Sequence, residues 1–428
     1  MALTLGWHIV TACLGVGMPV LLLYAEWRAN RDGGEAWRVL ARRWAKAFAV
    51  VFAVGAVSGT VLSFEMGVLW PELMGVFGAV IGLPFTLEAF AFFLEAIFIG
   101  IYLYGWDRLS PRVHWWSGVP IALSGFASAW FVVTANAWMN APRGFTLEGG
   151  VVTDVDPLAA MFNPATGAQT SHMLVAAYMV TGFVVASYYA WARLRGEETP
   201  YHRRAMGVAF AVGAVLAPVQ GFVGDWAATT VARTQPVKLA AMEGQFETET
   251  AAPLRIGGLP NEAERTTRFA LEIPSMLSVL AYHDPQAEVK GLNDFPEQDW
   301  PPVAVAHLAF QIMVGLGTGL IALAVWGAWA LGRRGELPRG RAFLWSVAAA
   351  GPASVIALEA GWVVTEVGRQ PWIAYGVLRT ADAVTQAPGL VWLLLAAVVL
   401  YAALTAGLLS VLRLLARKPL PPEALREH

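Results

Sequence analysis

The sequence predicts an all-α integral membrane protein, folded as a bundle of nine transmembrane helices. Composition is the first reason, because 57% of the 428 residues are hydrophobic and only 14% are charged, which is far from the usage of a soluble domain. The second reason is a set of nine apolar segments with lengths near the roughly 20 residues that a helix needs to cross a bilayer. They lie at residues 5–26, 46–68, 79–104, 115–139, 171–192, 205–223, 303–331, 342–366 and 390–416.

Basic residues concentrate in alternate loops, and this sets the predicted orientation. Short loops rich in Lys and Arg stay in the cytoplasm. The loops after the first, third, fifth and seventh segments carry Arg28, Arg31, Arg38, Arg42, Arg43, Lys46, Arg108, Arg112, Arg193, Arg195, Arg203, Arg204, Arg333, Arg334, Arg339 and Arg341. The loop predicted after the second segment, residues 66–78, has none. We therefore expect the N-terminus outside and the C-terminus in the cytoplasm.

Three regions follow from this pattern: helices 1–6 in residues 1–223, a long polar extracytoplasmic loop in 224–301, and helices 7–9 with a cytoplasmic tail in 302–428. A loop this long is usually functional or partly disordered. The first residues, MALTLGWHIV, contain no Lys or Arg, so we expect no cleavable signal peptide. A net charge of -2 gives no electrostatic reason to expect a nucleic-acid partner, and a single cysteine, Cys13, excludes a disulfide framework.

Ionisable side chains and a methionine fall in the outer halves of five predicted helices. Such groups cost about 2.5 to 3.5 kcal/mol each at membrane depth, so they are candidates for function. They are His8, Glu88, Glu95, His172, Met313, Glu359, Glu366 and Arg369. Glu88 and Glu95 lie seven residues apart, which places both on one face of a helix. The convergence of His, Met and Glu in one leaflet is the arrangement that a metal or haem centre needs.

Each of these residues also has a simpler interpretation. A lone His packs or forms hydrogen bonds more often than it binds metal, and Met313 could fill a gap. Glu88, Glu95 and Glu359 would suit a proton- or cation-coupled secondary transporter, and Arg369 with Glu366 could be an interfacial ion pair.

A haem enzyme with paired histidines is a further alternative. The predicted spans hold no such pair: His114 and His202 are assigned to cytoplasmic loops, and His307 lies six residues before Met313.

Four motifs resemble subunit I of the cytochrome bd-type quinol oxidases. They are EVGRQPW at 366–372 with Gly361 and Trp362 before it, FFLEAIFIGIYLYGWDRLS at 92–110, QIMVGLG at 311–317 and ANAWMNAPRG at 135–144. The resemblance runs in order through essentially the whole chain. It implies a copper-free, multi-pass enzyme of the bacterial cytoplasmic membrane that oxidises quinol on the outer side. Such an enzyme reduces O2 to water with protons from the cytoplasm and so generates a proton motive force.

The resemblance also implies three haems and their binding residues. His172 and Met313 match the axial ligands of a low-spin haem b, and filling both axial positions suits electron transfer. His8 and Glu366 match the ligands of two high-spin haems, a haem b and a haem d or haem b in its place. Further residues near the haems are Glu88 as an additional ligand, Arg369 and Trp362 in contact with haem, and Gln311 where well-known members carry Arg.

Proton and quinol chemistry are implied in the same way. Glu95, with Glu88, resembles a step on the family's proton route, although Ala96 stands where many members have a hydroxyl. Lys238 and Glu243 match the pair implicated in the quinol-binding Q loop, here in its short form. The alternative for these two residues is a solvated helical pair. The implied partners are oxidase subunit II, a small single-span subunit, ubiquinol or menaquinol, O2 and membrane lipid.

Overall fold

A computed structural model describes residues 1–32 and 34–425 of the chain. Its α-helices are α1 (Ala2–Asp32), α2 (Glu35–Leu69), α3 (Pro71–Gly105), α4 (Pro111–Asn140), α5 (Pro157–Met161), α6 (Thr166–Leu194), α7 (Pro200–Thr234), α8 (Pro236–Glu243), α9 (Met276–Tyr282), α10 (Val303–Arg334), α11 (Arg341–Val367), α12 (Thr380–Ala383) and α13 (Leu390–Arg417). Within these described residues, nine helices are long and apolar enough to span a membrane: α1 to α4, α6, α7, α10, α11 and α13. The predicted fold class and number of spans are confirmed.

Short strands occur only in the connections between spanning helices within the described residues. They are β1 (Thr146–Glu148), β2 (Val151–Thr153), β3 (Glu249–Thr250), β4 (Leu254–Ile256), β5 (Leu259–Asn261), β6 (Thr266–Arg268), β7 (Leu271–Ile273), β8 (Glu288–Val289), β9 (Trp372–Ala374) and β10 (Leu378–Arg379). They form the antiparallel pairs β1–β2, β3–β8, β4–β7, β5–β6 and β9–β10. Two-stranded sheets are marginal alone, so packing against the bundle must hold them.

Residues 235–302 join α7 to α10 and form what we call the cap. Val237, Phe246 and Leu292 of the cap are buried together with Val303 at the start of α10. The end of the bundle beneath the cap is the capped end, and the opposite end, which carries the Arg-rich connections, is the basic end. Arg379, in the connection after α11, pairs with Asp299 of the cap at 2.5 Å. The cap is thus attached to the bundle at its edge as well as through its two ends.

Several predicted boundaries are wrong. Residues 66–78 are not a loop, because α2 runs to Leu69 and α3 begins at Pro71, leaving only Trp70 between them. Proline disfavours helix in the residue before it but is well tolerated in the first turn, so one residue is enough to end one helix and start another. Helix α7 continues to Thr234, so the first eleven residues of the predicted polar loop, 224–234, are helical.

His114 and His202 were also placed wrongly. They lie in the first turns of α4 and α7, and both are buried.

Helix α6 is the centre of the bundle. It packs against α1, α4, α7 and α11, and 61% of its most apolar stretch is buried, compared with 11% in α13 at the periphery. The contact between α6 and α7 is very close, since a Cβ on Gly182 would lie 2.5 Å from the Gly213 nitrogen. Glycine at this crossing allows the two backbones to touch.

Candidate functional site

An ion pair stands at the C-terminal end of α11, where the bundle meets the cap. Arg369 Nη2 donates to Glu366 Oε2 at 2.5 Å, and Asn136 Nδ2 of α4 donates to Glu366 Oε1 at 2.6 Å. Gln169 Nε2 of α6 donates in turn to Asn136 Oδ1. Both oxygens of the Glu366 carboxylate are therefore held by a charged or an amide donor, and α6 supports the amide.

Lys238 of the cap reaches the same place. Its side chain is buried, and Nζ donates to Asn140 Oδ1 at 3.2 Å and to the Thr365 carbonyl at 3.1 Å. A Cβ on Gly368 would lie 3.1 Å from Lys238 Cε, so a glycine leaves room for the lysine side chain. We call Glu366, Arg369, Lys238 and Asn140 the cap-junction cluster. It brings together three of the predicted site residues.

The two residues predicted for quinol chemistry are both buried and have shifted pKa values. Burial first, and then the Arg369 charge, lower the pKa of Lys238 to about 7, while the Glu366 carboxylate opposes the shift. Burial raises the pKa of Glu243 to about 8, and Arg255 opposes that shift. Both groups can therefore change protonation near neutral pH. The alternative of a solvated helical pair is wrong.

Buried polar atoms near the cap-junction cluster lack hydrogen-bond partners among residues 1–32 and 34–425. They are Nε and Nη1 of Arg369, Nε1 of Trp362, Oε1 of Gln235 and Oε2 of Glu243. An unpaired buried polar group costs about 1 to 3 kcal/mol. Several of them in one region indicate a place where a ligand supplies the missing partners. The N–H groups of Arg369 and Trp362 would suit an anionic acceptor.

His172 and Met313 lie on two helices that do not pack closely on each other but share neighbours. Helices α6 and α10 both pack against α7 and α11, so the two residues belong to one group of four helices. The amide nitrogen of Gln220 lies 3.2 Å from both ring nitrogens of His172. Met313 lies against α11, because a Cβ on Gly361 of that helix would lie 2.9 Å from Met313 Sδ.

His8 lies where α1 passes between α2 and α11. Its Nδ1 is 2.8 Å from Ser58 Oγ of α2. Two residues earlier, a Cβ on Gly6 would lie 3.4 Å from Glu359 Oε2 and 3.5 Å from Trp362 Cζ3. His8 itself therefore faces α2, while the neighbouring turn of α1 faces the α11 residues that lead up to the cap-junction cluster.

Glu88 and Glu95 share one face of α3, as their spacing predicts. Ser128 of α4 donates to Glu88 Oε1 at 3.2 Å. A Cβ on Gly125 would lie 3.0 Å from Glu95 Oε1, and Glu95 is only 5% exposed. This acidic face is turned towards α4 and is separate from the contacts of Glu366.

Gln311 and His307 hold the cap onto α10. Gln311 Oε1 accepts from the Gly257 nitrogen at 2.9 Å, and its Nε2 donates to the Arg255 carbonyl at 3.0 Å. The ring nitrogens of His307 lie 2.9 Å from the carbonyls of Met242 and Gly257. Both amide atoms of Gln311 are thus engaged with the cap backbone. A role of Gln311 at a cofactor stays a prediction.

Sequence reasoning missed the amides of the site, namely Asn136, Asn140, Gln169 and Gln235. Gln235 donates to Asn140 Oδ1 at 3.1 Å, which adds a second link between cap and bundle. A signal was present, because Asn136 and Asn140 are four residues apart at the end of an apolar segment, where unpaired amides are costly. Both asparagines belong to the motif ANAWMNAPRG, but the resemblance assigns them no role.

The fold and the site define a class of protein: a multi-pass α-helical membrane protein with histidine, methionine and glutamate side chains in one half of its bundle and a buried, incompletely paired polar cluster beneath a cap. The comparisons with known proteins agree with this class. The family described as cytochrome bd terminal oxidase subunit I matches residues 1–420. The chain belongs to this family.

Individual relatives cover nearly the whole chain. A Bacillus subtilis (strain 168) protein described as a cytochrome bd menaquinol oxidase subunit I is 38% identical over 423 residues, covering 97% of this chain and 94% of that protein. Subunit 1 of the cytochrome bd-II ubiquinol oxidase of Escherichia coli (strain K12) is 30% identical, covering 89% and 88%. The solved bd oxidase of Geobacillus thermodenitrificans superposes with a TM-score of 0.92 at 40% identity, covering 98% and 97%.

Family membership confirms the predicted resemblance and the predicted enzyme class. The chain is a multi-pass protein of the bacterial cytoplasmic membrane and an oxidoreductase subunit of the terminal-oxidase type. Haem cofactors follow from the family. The comparisons give no support to the secondary-transporter alternative.

Proposed function

We propose that this chain carries three haems, oxidises a membrane quinol where the cap meets the bundle, and directs the electrons to O2. The observation that supports this most is the set of unpartnered buried donors, Arg369 Nε and Nη1 and Trp362 Nε1, beside Glu366 and Lys238. A buried guanidinium with free N–H groups calls for a carboxylate, and a haem carries two propionates. The residues therefore fit the group that the family implies.

The residues that would hold the haems are proposed one by one. His172 of α6 and Met313 of α10, whose helices share α7 and α11 as neighbours, would hold the low-spin haem b. His8 and Glu366 are assigned to the high-spin haem b and to haem d, or a second high-spin haem b in its place, and Glu88 is a further ligand near the oxygen-binding haem. When bound, the haems supply one-electron transfer and an open position for O2.

Neighbouring side chains hold Glu366 in the fixed orientation that a haem ligand needs. Asn136 and Arg369 each hold one carboxylate oxygen, which keeps the side chain in one orientation, as outer hydrogen bonds do for metal ligands. Gln169 holds the Asn136 amide in turn. The direction of the carboxylate thus depends on contacts from three helices.

Quinol oxidation requires acceptors for two protons as two electrons leave. With a pKa near 7, about half of Lys238 is the free amine at neutral pH, and this amine can take a proton from a quinol hydroxyl. Glu243, with a pKa near 8, can take the other when ionised and release it as the cap exchanges with solvent. Lys238 and Glu243 lie five residues apart on α8.

The direction of proton movement follows from the proposed orientation. The Arg-rich basic end faces the cytoplasm, so the cap lies outside and quinol protons are released there. O2 reduction draws its protons from the cytoplasm by way of Glu95 and Glu88. Separation of the two half-reactions generates a proton motive force without a pump.

The enzyme is proposed to work with oxidase subunit II and a small single-span subunit. Large apolar side chains of α3 that are exposed in the single chain suit a partner helix or lipid; they include Phe90, Phe93, Leu94 and Ile97. The quinol is ubiquinol or menaquinol, and both are to be assayed.

The test uses membranes containing the chain with its partner subunits. Reduced-minus-oxidised spectra and pigment extraction should show low-spin and high-spin haem, and each quinol should be offered as the electron donor for O2 consumption. His172→Ala and Met313→Leu should each remove the low-spin signal and leave the high-spin signals. A pigment-free preparation, as a transporter would give, contradicts the proposal.

Two matched variants control for general damage. Met179→Leu changes a buried methionine of α6, and His283→Ala changes a histidine of the cap whose side chain is 63% exposed. Both should keep the low-spin signal. If they lose it as readily as the ligand variants do, the assignment of His172 and Met313 is not supported by the spectra.

A further inference from the structure

Three buried polar side chains meet near the basic end, one from each of three helices. The Tyr102 hydroxyl of α3 donates to Glu26 Oε2 of α1 at 2.7 Å. His114 Nδ1 of α4 lies 2.7 Å from Glu26 Oε1, and its Nε2 lies 2.9 Å from the Tyr102 carbonyl. Each of the three residues is at most 2% exposed. We call them the basic-end cluster.

The hydrogen bonds of this cluster require a shared proton. A backbone carbonyl can only accept, so His114 Nε2 must carry a hydrogen. The bond between Nδ1 and Glu26 Oε1 then contains one proton, held either by an imidazolium beside a carboxylate or by a carboxylic acid beside a neutral imidazole. A pair with two positions for one proton has the chemistry of a relay.

The cluster also has access to the surface. A cavity of about 30 Å³ lies against Glu26 and His114 and is lined as well by Asn30 and Arg38. Asn30 is exposed, and the Arg38 side chain is 42% exposed. A cavity of this size is large enough for a water molecule, and Glu26, His114, Asn30 and Arg38 give it polar groups in the lining. Water at the basic end can therefore reach the shared proton.

A stripe along α3 connects the cluster to the acidic face described above. Glu88, Glu95 and Tyr102 follow one another at intervals of seven residues, a rise of about 10 Å for each step. All three face α4: Cβ atoms on Gly125 and Gly118 would lie 3.0 Å from Glu95 Oε1 and 3.1 Å from Tyr102 Cε2. The seam between α3 and α4 thus carries ionisable groups from one end towards the other.

Hydroxyls of α4 accompany this seam. Ser117 precedes Gly118, Ser124 precedes Gly125, and both serines are buried. They stand at the levels of Tyr102 and Glu95. Position 96, beside Glu95 on α3, is an alanine and offers no hydroxyl. Serine hydroxyls of α4 therefore stand along the seam at the level of Glu95.

We propose that the basic-end cluster is the loading point at which protons join the route along the α3–α4 seam to Glu95 and Glu88. This inference rests on the proposed function, because O2 reduction is what consumes the protons. A hydronium in the cavity becomes water as it gives a proton to the His114–Glu26 pair. The Tyr102 oxygen then takes a proton from Glu26 as the hydroxyl releases its own proton to a water molecule in the α3–α4 seam. That water passes a proton to the Glu95 carboxylate, so one proton advances and Tyr102 remains a phenol.

The test uses the whole oxidase with its partner subunits and two variants, Tyr102→Phe and Glu26→Gln. Both keep the size of the side chain, but phenylalanine cannot relay a proton and glutamine cannot exchange one with His114. We expect kcat for O2 consumption to fall roughly tenfold or more, with an unchanged KM for quinol and an unchanged haem spectrum. Proton uptake from solvent after an oxygen pulse should slow by the same factor.

A matched control distinguishes a proton-relay role of the cluster from a purely structural role. Tyr189→Phe removes another buried hydroxyl at the basic end, one that accepts from Trp44 Nε1 at 2.8 Å. A cluster that merely ties α1, α3 and α4 together would make Tyr102→Phe resemble Tyr189→Phe, with lower thermal stability and an unchanged kcat. That result, or normal kcat in Glu26→Gln, overturns the inference while leaving the proposed function intact. Wild-type enzyme without haem or without quinol-dependent O2 consumption overturns both.

Discussion

The cap-junction cluster and the basic-end cluster are both buried and both join several helices, yet their hydrogen bonding differs. In the basic-end cluster, the oxygens of Glu26, both ring nitrogens of His114 and the Tyr102 hydroxyl all have partners. At the cap junction, among residues 1–32 and 34–425, Arg369 uses only one of its three guanidinium nitrogens and the indole N–H of Trp362 finds no partner. Within that part of the chain, one cluster has all its hydrogen bonds and the other does not.

This difference shows what unpaired polar groups in a buried cluster indicate. Leaving a buried donor unpaired costs about 1 to 3 kcal/mol, so unpaired donors persist where a ligand supplies the missing acceptor. A complete cluster needs no ligand and can hold the helices together or pass a proton.

The largest effect is expected from Arg369→Gln. It leaves Glu366 without its charged partner, and breaking a buried pair costs roughly 3 to 5 kcal/mol. We expect loss of high-spin haem, measured by pigment extraction per mole of protein, and loss of at least about a hundredfold in quinol oxidase activity. Arg379→Gln, which breaks a partly exposed pair with Asp299, is the control and should retain haem. Full haem content in Arg369→Gln would show that the free donors do not mark a haem site.

The next effect concerns pH and Lys238. Its pKa is lowered to about 7, so the protonated form dominates below that pH and the free amine above it. If the amine accepts the quinol proton, kcat/KM for quinol should rise as pH increases through about 7. Lys238→Met should remove this rise and reduce activity roughly ten- to hundredfold. Lys290→Met, at an exposed site of the cap, should keep the wild-type profile; a profile unchanged in Lys238→Met would exclude Lys238 as the base.

A smaller effect is expected from Gly361→Ala. The added methyl would lie 2.9 Å from Met313 Sδ, so the sulfur must shift, and overpacking of this kind typically costs about 1 to 3 kcal/mol. The low-spin haem spectrum should change or weaken while the high-spin signals persist. Gly317→Ala on α10 adds the same methyl where, among the described residues, no atom beyond its own turn of helix lies within 4 Å. Equal spectra for the two variants would argue against Met313 as a ligand.

The smallest effect is expected from Gln311→Leu. It removes two hydrogen bonds to the cap backbone at Arg255 and Gly257, each contributing about 0.5 to 1.5 kcal/mol. Faster hydrogen exchange at the Gly257 amide should report the loosened cap, with haem content unchanged. A shifted low-spin haem spectrum without faster exchange would instead support the predicted role of Gln311 beside the haem.

The fold could be predicted because its causes are local in sequence. Each span is a run of apolar residues long enough to cross a bilayer, and water is absent along its length, so the helix satisfies its own backbone. The ends of the helices were less predictable. Residues 66–78 are apolar and contain a proline, a composition that suits a loop, yet only Trp70 breaks the helix.

The site could be predicted only in part. Spacing was enough to place Glu88 and Glu95 on one face, and motif resemblance was enough to select Lys238, Glu366 and Arg369. Neither indicated that Asn140 would accept from Lys238, because these residues are 98 positions apart and meet through the packing of cap on bundle. His114 was assigned to a loop because a polar first turn does not look like part of a span.

The sequence by itself determined the class of the protein, the number of its spans and the family to which it belongs. The length of an apolar segment and the residues of a motif are both properties of short stretches of sequence. Only the tertiary structure decided which buried polar groups find hydrogen-bond partners among the described residues and which do not. Pairing at the cap junction joins α4, α6, α11 and the cap, and pairing at the basic end joins α1, α3 and α4. Hydrogen bonds form over about 3 Å, and sequence distance does not reveal which side chains come within that range.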